Sequence, residues 1–244
     1  MRDLHVSSRL AEFTSVKALT AATGHSPDRW AQVIVKELVD NGIDNAEANG
    51  IAPEITITVT AESIAVTDNG GGIAPEDLVQ MLDYNNRVSS TEAYISPTRG
   101  RQGNAMQTIF AIPYALHGEG GVTTVESRGV KHTVVFRTDP VRRVPVISHT
   151  KSTNRRFVHS GTRITVAWPL SACSQLEAAK GEFVQIVQDL AILNPHLSIT
   201  LTWSGRKEVA IKAADPGWQK WRPIDRAIQT RHNRRSHQPL CEIG

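Results

Sequence analysis

Residues 33–47, VIVKELVDNGIDNAE, constrain the fold of this chain more than any other stretch. Their apolar side chains recur at helical spacing and predict a buried stripe made of Val33, Val35, Leu38, Val39 and Ile43. Glu37, Asn41 and Asp44 follow one another at steps of four and three, so they share another face of the helix. An acid, an amide and a second acid in register suit a base and a metal ligand that face a phosphate ester. An ordinary amphipathic helix with a solvated acidic face would show the same spacing.

The bulk composition is that of an ordinary globular protein, with 244 residues, 40% apolar and 21% charged, and a net charge of +3. Acids and bases alternate through most of the chain, which argues against a global nucleic-acid surface. Cys173 and Cys241 lie far apart, and the nine histidines show no metal-ligand spacing. No apolar run approaches the roughly 20 residues of a membrane helix. We therefore expect a cytoplasmic protein without a membrane contact.

The hydrophobic pattern predicts helices alternating with groups of strands. Helices are expected over residues 15–22, 27–47, 75–82, 105–118 and 174–193. Strands are expected over residues 53–61, 63–67, 122–127, 131–138, 161–168, 197–203 and 207–212. Ser26 is the expected cap of the second helix, with Pro27 in its first turn. The basic, Ser/Thr-rich stretch in residues 139–160 indicates a hairpin or a mobile loop.

A second motif, VTDNGGGI, occupies residues 66–73, where a predicted strand runs directly into glycines. Asp68 at the end of that strand could accept a hydrogen bond from a ligand amine, such as the exocyclic amine of adenine. Gly70 and Gly72 would let backbone and ligand approach closely, because they lack a side chain that would clash. A simple Asp-Asn-Gly turn explains the same letters equally well.

Two further motifs lie later in the chain. TRGRQGNA, residues 98–105, places glycines just before a helix, where free backbone N–H groups can form an anion cradle, but it lacks the Walker pattern. GTRITV, residues 161–166, opens a strand and could bring the Thr162 hydroxyl near Asp68. Taken singly, a flexible glycine loop and an ordinary strand start would account for them.

Together and in this order, the four motifs resemble the GHKL ATPases of the Bergerat fold, which include topoisomerase ATPase subunits, mismatch-repair ATPases, a heat-shock chaperone and histidine kinases. ELVDNxxD matches their first motif at Glu37, Asp40, Asn41 and Asp44, and DNGGGI matches the second. KELVDN, the RGxQG loop and NPH at residues 194–196 are similar to the B subunits of DNA topoisomerase VI. The resemblance covers about residues 10–203.

The resemblance implies an α+β fold, a two-layer α/β sandwich in which a mixed, largely antiparallel sheet carries helices on one face. It implies an ATP-binding domain over residues 1–212, followed by a basic linker or poorly ordered tail over 213–244. Glu37 would be the general base and Asn41 the Mg²⁺ ligand, Asp68 would bind the adenine amine with help from Thr162, and Asp44 would support the site. The remaining implied ATP contacts are Gly70, Gly72, Gly100, Arg101, Gln102, Gly103, Asn104 and Ala105. Residues 84–102 would be the lid.

The resemblance also implies ATP and Mg²⁺ as cofactors, a nucleotide-dependent homodimer, and a topoisomerase VI A-like DNA-cleaving subunit through which DNA is reached indirectly. Three features depart from the family pattern. Gly103-Asn104-Ala105 replaces Gly-x-Gly, and Asn45 stands where alanine is usual. The transducer domain, which normally supplies a lysine to the γ-phosphate, is matched only faintly by WRPID near residue 221, so slow turnover or binding without hydrolysis is expected. The alternatives are a stand-alone ATP-binding switch without a DNA role, a histidine-kinase-like domain, and a two-layer domain that binds no ATP.

Overall fold

A mixed eight-stranded sheet, with helices packed on one face, forms the described part of this computed structural model, residues 13–84 and 105–220. The helices are α1 (Val16–Thr23), α2 (Trp30–Ala48), α3 (Pro75–Met81), α4 (Ala105–His117), α5 (Cys173–Ala178) and α6 (Lys180–Leu193). The strands are β1 (Glu54–Thr60), β2 (Ser63–Asp68), β3 (Gly121–Ser127), β4 (Val130–Thr138), β5 (Pro145–Thr153), β6 (Thr162–Ala167), β7 (Ser198–Trp203) and β8 (Arg206–Ile211).

The strand order is β5-β4-β3-β6-β2-β1-β7-β8, and only β1 and β7 run parallel among these neighbours. This arrangement confirms the predicted α+β sandwich. In β1 the apolar alternation that predicted the strand matches the burial: Ile55, Ile57 and Val59 are all buried, and the threonines between them are not. Each buried aliphatic side chain contributes about 1.5–3 kcal/mol. Alternation of this kind fixes the face that the strand turns to the helices.

The predicted stripe of α2 is confirmed except at its first member. Val35, Leu38, Val39 and Ile43 are buried, but Val33 is only half-buried, and Ile34 is the fully buried residue of that turn. Val33 instead lines a groove between α2 and α6 together with Ile186. Position 33 therefore faces a neighbouring helix rather than the sheet, and a single-helix pattern cannot distinguish the two.

The start of this helix also differs from the prediction. Pro27–Arg29 form a 3-10 turn, and the α-helix begins at Trp30. The Ser26 hydroxyl does not bond the helix backbone; it donates to the Asp28 carboxylate at 2.5 Å. A nearby carboxylate competes for the hydroxyl that the helix end would otherwise use.

The predicted single helix over residues 174–193 is wrong, because the chain forms α5 and α6 with a break at Ala179. The N–H of Ala179 is shared between the carbonyls of Gln175 and Leu176, both at 3.1 Å, which tightens the last turn of α5. Ala179 is itself buried, so the break lies against the core. It contains no proline, and Gly181, two residues later, lies inside α6, so the glycine does not mark the position of the break.

The sequence left two regions undecided, residues 139–160 and the segment after β8. Residues 139–160 contain β5, which pairs with β4 over its whole length, so the hairpin interpretation is correct. Beyond β8, residues 213–220 still contact the domain. The Ala213 N–H donates to Ser198 Oγ at 3.1 Å, and the centroid of the Trp218 ring lies 4.8 Å from that of the His196 ring. The boundary at residue 212 stays a prediction, and residues 221–244 lie outside the described range.

None of the described helices is both long and apolar enough to span a bilayer.

Candidate functional site

Three polar side chains form a row across three neighbouring strands under the helix layer. Asp68 ends β2 and pairs with Thr162 of β6, and Thr162 pairs in turn with Ser127 of β3. Thr162 is 1% exposed and Ser127 is 2% exposed, and their hydroxyl oxygens lie 3.4 Å apart. The sheet therefore brings the Thr162 predicted from the fourth motif beside the Asp68 predicted from the second.

The Asp68 carboxylate is half-buried and only partly satisfied by the protein. Its Oδ1 accepts a hydrogen bond from the Gly70 N–H at 2.9 Å. Burial raises its pKa to about 6, although hydrogen bonds from the backbone N–H groups of Gly70 and Thr162 pull the pKa back down. An ionised carboxylate has about four acceptor positions, so this group can still accept from a ligand amine.

The backbone closes tightly around Asp68 at Gly161. Gly161 has φ +77°, and a Cβ there would lie 1.9 Å from the Asp68 carbonyl oxygen. The buried Ser127 hydroxyl holds this approach by donating to the Gly161 carbonyl and accepting from the Ile73 N–H, both at 2.9 Å. Gly72 has φ +78°, and a Cβ there would lie 2.7 Å from Ser127 Oγ. The sequence motifs identified Gly72 and included Gly161 without giving it a role, but they missed Ser127, since nothing local marks a serine at a hairpin end.

The loop after Asp68 packs against the last turns of α2. A Cβ on Gly70 would lie 2.9 Å from the Asn45 side-chain carbon, and one on Gly71 would lie 2.5 Å from Asn49 Nδ2. Asn49 Nδ2 donates to the Asn45 backbone carbonyl at 2.7 Å and to its side-chain oxygen at 3.1 Å, which fixes the Asn45 carboxamide. Asn45, the departure from the family pattern, therefore lies against the Asp68 loop.

Helix α2 approaches the site through Gly42, where a Cβ would lie 2.8 Å from Ile55 Cδ1 and 3.0 Å from Asp68 Cβ. This contact places the acidic face of α2 next to the end of β2. The amide of Asn69, in contrast, has a structural role. Its oxygen accepts from the Glu54 N–H at 2.9 Å and its nitrogen donates to the Ala52 carbonyl at 3.0 Å, so it holds the start of β1.

The residues of the predicted acidic face of α2 differ in their exposure to solvent. Asn41 is exposed, and Glu37 and Asp44 are half-buried. Asp40, beside that face, is 8% exposed, and its Oδ2 lies 2.8 Å from Lys36 Nζ. Burial raises the pKa of Glu37; the Lys36 ammonium lowers it and the Asp40 carboxylate raises it further. A carboxylate whose pKa is raised is a better proton acceptor, as a general base requires.

The side chains near Asp68 and on α2 determine how Mg²⁺ could be held in this site. In residues 13–84 and 105–220, no three His, Cys, Asp or Glu side chains come together as a metal cluster. The exposed Asn41 carboxamide oxygen on α2 is a hard oxygen donor, of the kind Mg²⁺ prefers. Mg²⁺ usually keeps several waters and takes few protein ligands in sites that bind phosphates. The residues present therefore fit a Mg²⁺ held mainly by phosphate oxygens and water.

The predicted phosphate cradle falls mostly outside the described residues, since Gly100, Arg101, Gln102, Gly103 and Asn104 all lie in 85–104. Ala105 is the first residue of α4, where helix N–H groups lack intrahelical partners. The two flanks of 85–104 are joined: the Tyr84 hydroxyl donates to the Gln107 carbonyl at 2.9 Å, and Gln107 Nε2 donates to the Asp83 carbonyl at 3.0 Å. The predicted lid over 84–102 remains a prediction.

Comparison with known proteins finds relatives of two kinds. The B subunit of type 2 DNA topoisomerase 6 from Archaeoglobus fulgidus is 27% identical over 191 residues, covering 72% of this chain and 29% of that protein. The DNA mismatch repair protein MutL of Lacticaseibacillus paracasei is 27% identical over 198 residues, covering 77% of this chain and 28% of that protein. The chain thus spans under a third of the length of these curated relatives.

Among solved structures, the MutL ATPase domain of Aquifex aeolicus complexed with ADP matches with a TM-score of 0.45 and 17% identity, covering 75% of this chain and 63% of that one. The family model of the histidine kinase-, DNA gyrase B- and HSP90-like ATPases matches residues 27–172, a span that contains the row Asp68–Thr162–Ser127 and the whole of α2. This chain therefore belongs to the GHKL family of histidine kinase-, DNA gyrase B- and HSP90-like ATPases.

Proposed function

We propose that this chain binds Mg-ATP at the Asp68 row and hydrolyses it with Glu37 as the general base. The observation that carries this proposal is the half-buried Asp68 carboxylate, which keeps free acceptor capacity where Gly161 and Gly42 bring strand, loop and helix together. A half-buried carboxylate that has no cationic partner among the described residues would be unfavourable unless a ligand used it. A purine amine is a hydrogen-bond donor that such an acceptor can bind.

In this mechanism the residues of the chain bind, orient and accept a proton. Asp68 accepts a hydrogen bond from the exocyclic amine, and Thr162 lies beside it to fix water or base. Asn41 would hold Mg²⁺ against the phosphates, and the metal would neutralise the charge that develops during transfer. Glu37 accepts a proton from the attacking water one turn earlier on α2. The N-terminus of α4 at Ala105 presents backbone N–H groups to the phosphates.

At the finer level we propose an ATPase domain like that of the topoisomerase VI B subunits, in which ATP closes a homodimer and gates DNA strand passage with a DNA-cleaving subunit. The match to the B subunit of topoisomerase 6 supports this role. A MutL-like role in mismatch repair is a second candidate, because MutL proteins match at the same 27% identity. ATP-dependent strand passage with a cleaving subunit is expected for the first role and absent in the second.

Calorimetric titration with a non-hydrolysable ATP analogue plus Mg²⁺ tests the nucleotide site, and light scattering on the same samples tests dimer closure. Saturable binding supports the ATP site, and a doubling of mass on binding supports the dimer. Binding without a change in mass would favour a stand-alone switch. Failure to bind any nucleotide would overturn the proposed function.

Replacing Glu37 by Ala should separate binding from turnover. We expect the dissociation constant for the ATP analogue to stay within about threefold, because in the proposed mechanism Glu37 contacts the attacking water and the base is held by Asp68. A general base contributes about 100- to 10,000-fold, so phosphate release should fall by that factor. Glu62→Ala removes an exposed carboxylate at the far end of the β1–β2 hairpin and should leave both quantities unchanged. Turnover that survives in the Glu37 variant would remove Glu37 from the base role.

Nucleoside affinity should depend on pH through Asp68. Because its pKa is raised from 3.8 to about 6, the carboxylate is ionised at pH 7.5 and mostly protonated at pH 5. The protonated group has lost the charge that attracts the amine, so affinity should fall about tenfold per pH unit below about pH 6. Adenosine is the appropriate ligand, because it has no titrating phosphate, and its binding can be followed by NMR. Constant affinity from pH 7.5 to 5 would contradict the assignment.

A further inference from the structure

Positive charge is concentrated in one segment of this chain, residues 128–163. That segment contains nine Lys and Arg and a single acid, Asp139. The remaining residues hold 18 of the 27 Lys and Arg but 23 of the 24 Asp and Glu. The segment therefore has a net charge of +8 and the rest of the chain −5, although the whole chain carries only +3. No acid occurs between Asp139 and Glu177.

The fold places much of this charge along one edge of the sheet. β5 is the outermost strand of the described sheet, and its far side has no neighbouring strand there. Five exposed cations lie on β5 and the turns at its two ends, and we call them the β5 basic strip: Arg142, Arg143, Lys151, Arg155 and Arg156. The hydroxyl residues Ser148, Thr150 and Ser152 are exposed between them.

Among residues 13–84 and 105–220, no carboxylate pairs with a cation of the strip. Within the described residues, none of its five cations forms an ion pair with a carboxylate inside 4.0 Å, in contrast to Arg29 and Lys180, which do. The carboxylate of Asp139 forms hydrogen bonds within its own turn. Its Oδ1 accepts from the backbone N–H groups of Val141 at 2.8 Å and Arg142 at 2.9 Å. These cations therefore repel one another across a stretch of surface where the described part of the chain supplies no paired counter-charge.

The dimensions of the strip fit an extended polyanion. Nine residues of β5 at about 3.3 Å each span roughly 30 Å, the length of about nine base pairs of duplex at about 3.4 Å per base pair. One strip cation, Lys151, lies on β5 and the four arginines lie in the turns at its two ends, so the cations are spread along the length of the strand. Arg, Lys, Ser and Thr are the side chains that contact the phosphate backbone of DNA. An extended acidic peptide would add as a strand to the β5 edge, and competition with poly-glutamate distinguishes it from duplex DNA.

We propose that the β5 basic strip binds the phosphate backbone of duplex DNA directly, without reading its sequence. This contact goes beyond the proposed function, in which DNA is reached only through a partner subunit. The strip and the Asp68 carboxylate lie on different strands, with β4, β3 and β6 between β5 and β2, a distance of about 19 Å at about 4.8 Å per strand. The turn that carries Arg155 and Arg156 leads to Gly161, so nucleotide binding by the strip variant is measured as a control.

The test is fluorescence anisotropy of a labelled duplex of about 20 base pairs with the full chain, without nucleotide, between about 50 and 200 mM salt. We expect the variant R142Q/K151Q/R155Q to bind at least about tenfold more weakly than wild type at about 100 mM salt. Each lost phosphate contact lowers the slope of log affinity against log salt by about 0.9, so the slope should fall by about 2 to 3.

The matched control is R206Q/K207Q/K212Q, which removes three exposed cations at or beside β8, the opposite edge of the sheet. It changes the net charge equally and should keep duplex affinity within about twofold. Equal losses in both variants, or none in the strip variant, would overturn the proposal. Competition by poly-glutamate as effective as that by unlabelled duplex would also overturn it, in favour of an acidic protein partner. The strip variant must bind the ATP analogue as wild type does, and failure of wild type to bind the analogue would count only against the proposed ATP site.

Discussion

The Asp68→Asn variant should bind the Mg²⁺ complex of a non-hydrolysable ATP analogue about 10- to 150-fold more weakly than wild type. This range corresponds to the roughly 1.5–3 kcal/mol of a hydrogen bond to a charged group. The asparagine oxygen can still accept from the Gly70 N–H, so the loop after β2 keeps its bond. What is lost is the charge, together with an acceptor position that an amide nitrogen cannot supply. Calorimetry on both proteins at pH 7.5 measures the difference.

The control for this variant is its stability, and the sign follows from the pKa of Asp68. Since burial raises that pKa from 3.8 to about 6, the folded state binds more protons than the unfolded state in this window. The carboxyl therefore makes the fold less stable as the pH rises from about 4 to 6. Asparagine has no such dependence, so its melting temperature at pH 7.5 should equal or exceed that of wild type. Near-normal nucleotide affinity in a folded variant would remove Asp68 from the base pocket.

The Gly161→Ala variant should lower both stability and nucleotide affinity. Gly161 has φ +77°, where an L-residue costs about 1–2 kcal/mol, and its Cβ would lie 1.9 Å from the Asp68 carbonyl oxygen. The backbone of β2 or β6 must move to relieve that overlap. We expect the free energy of unfolding to fall by more than about 2 kcal/mol, which is a drop of about 4 °C or more in melting temperature for a domain of this size.

Gly50→Ala is the matched comparison for this substitution. Gly50 has nearly the same φ, +67°, but a Cβ there would meet no heavy atom within 4 Å. Gly50→Ala should therefore lower the free energy of unfolding only by the cost of the left-handed φ, about 1–2 kcal/mol, and leave nucleotide affinity unchanged. Differential scanning fluorimetry and calorimetry on the two variants separate the overlap from the backbone angle. Equal effects of both substitutions would show that the close approach at Gly161 is unimportant.

The predictable part of this protein was local. Hydrophobic alternation identified β1 and β2, and helical spacing identified most of α2, because each pattern reports which side of one element is buried. The identity of the elements between residues 105 and 138 followed in the same way. The acidic face of α2 and the Asp68 turn were readable as motifs, because special chemistry requires unusual residue types in fixed positions.

What the tertiary structure decided was which distant elements meet. The row Asp68–Thr162–Ser127 depends on β6 being inserted between β2 and β3, and strand order is not encoded in local periodicity. The break at Ala179 and the outward turn of Val33 arise from packing against neighbouring helices. The excess of positive charge in residues 128–163 is visible in the sequence, but only the pairing of β5 with β4 places those cations at the edge of the sheet. The sequence determined the elements and their chemistry, and long-range packing decided which of those side chains share a site.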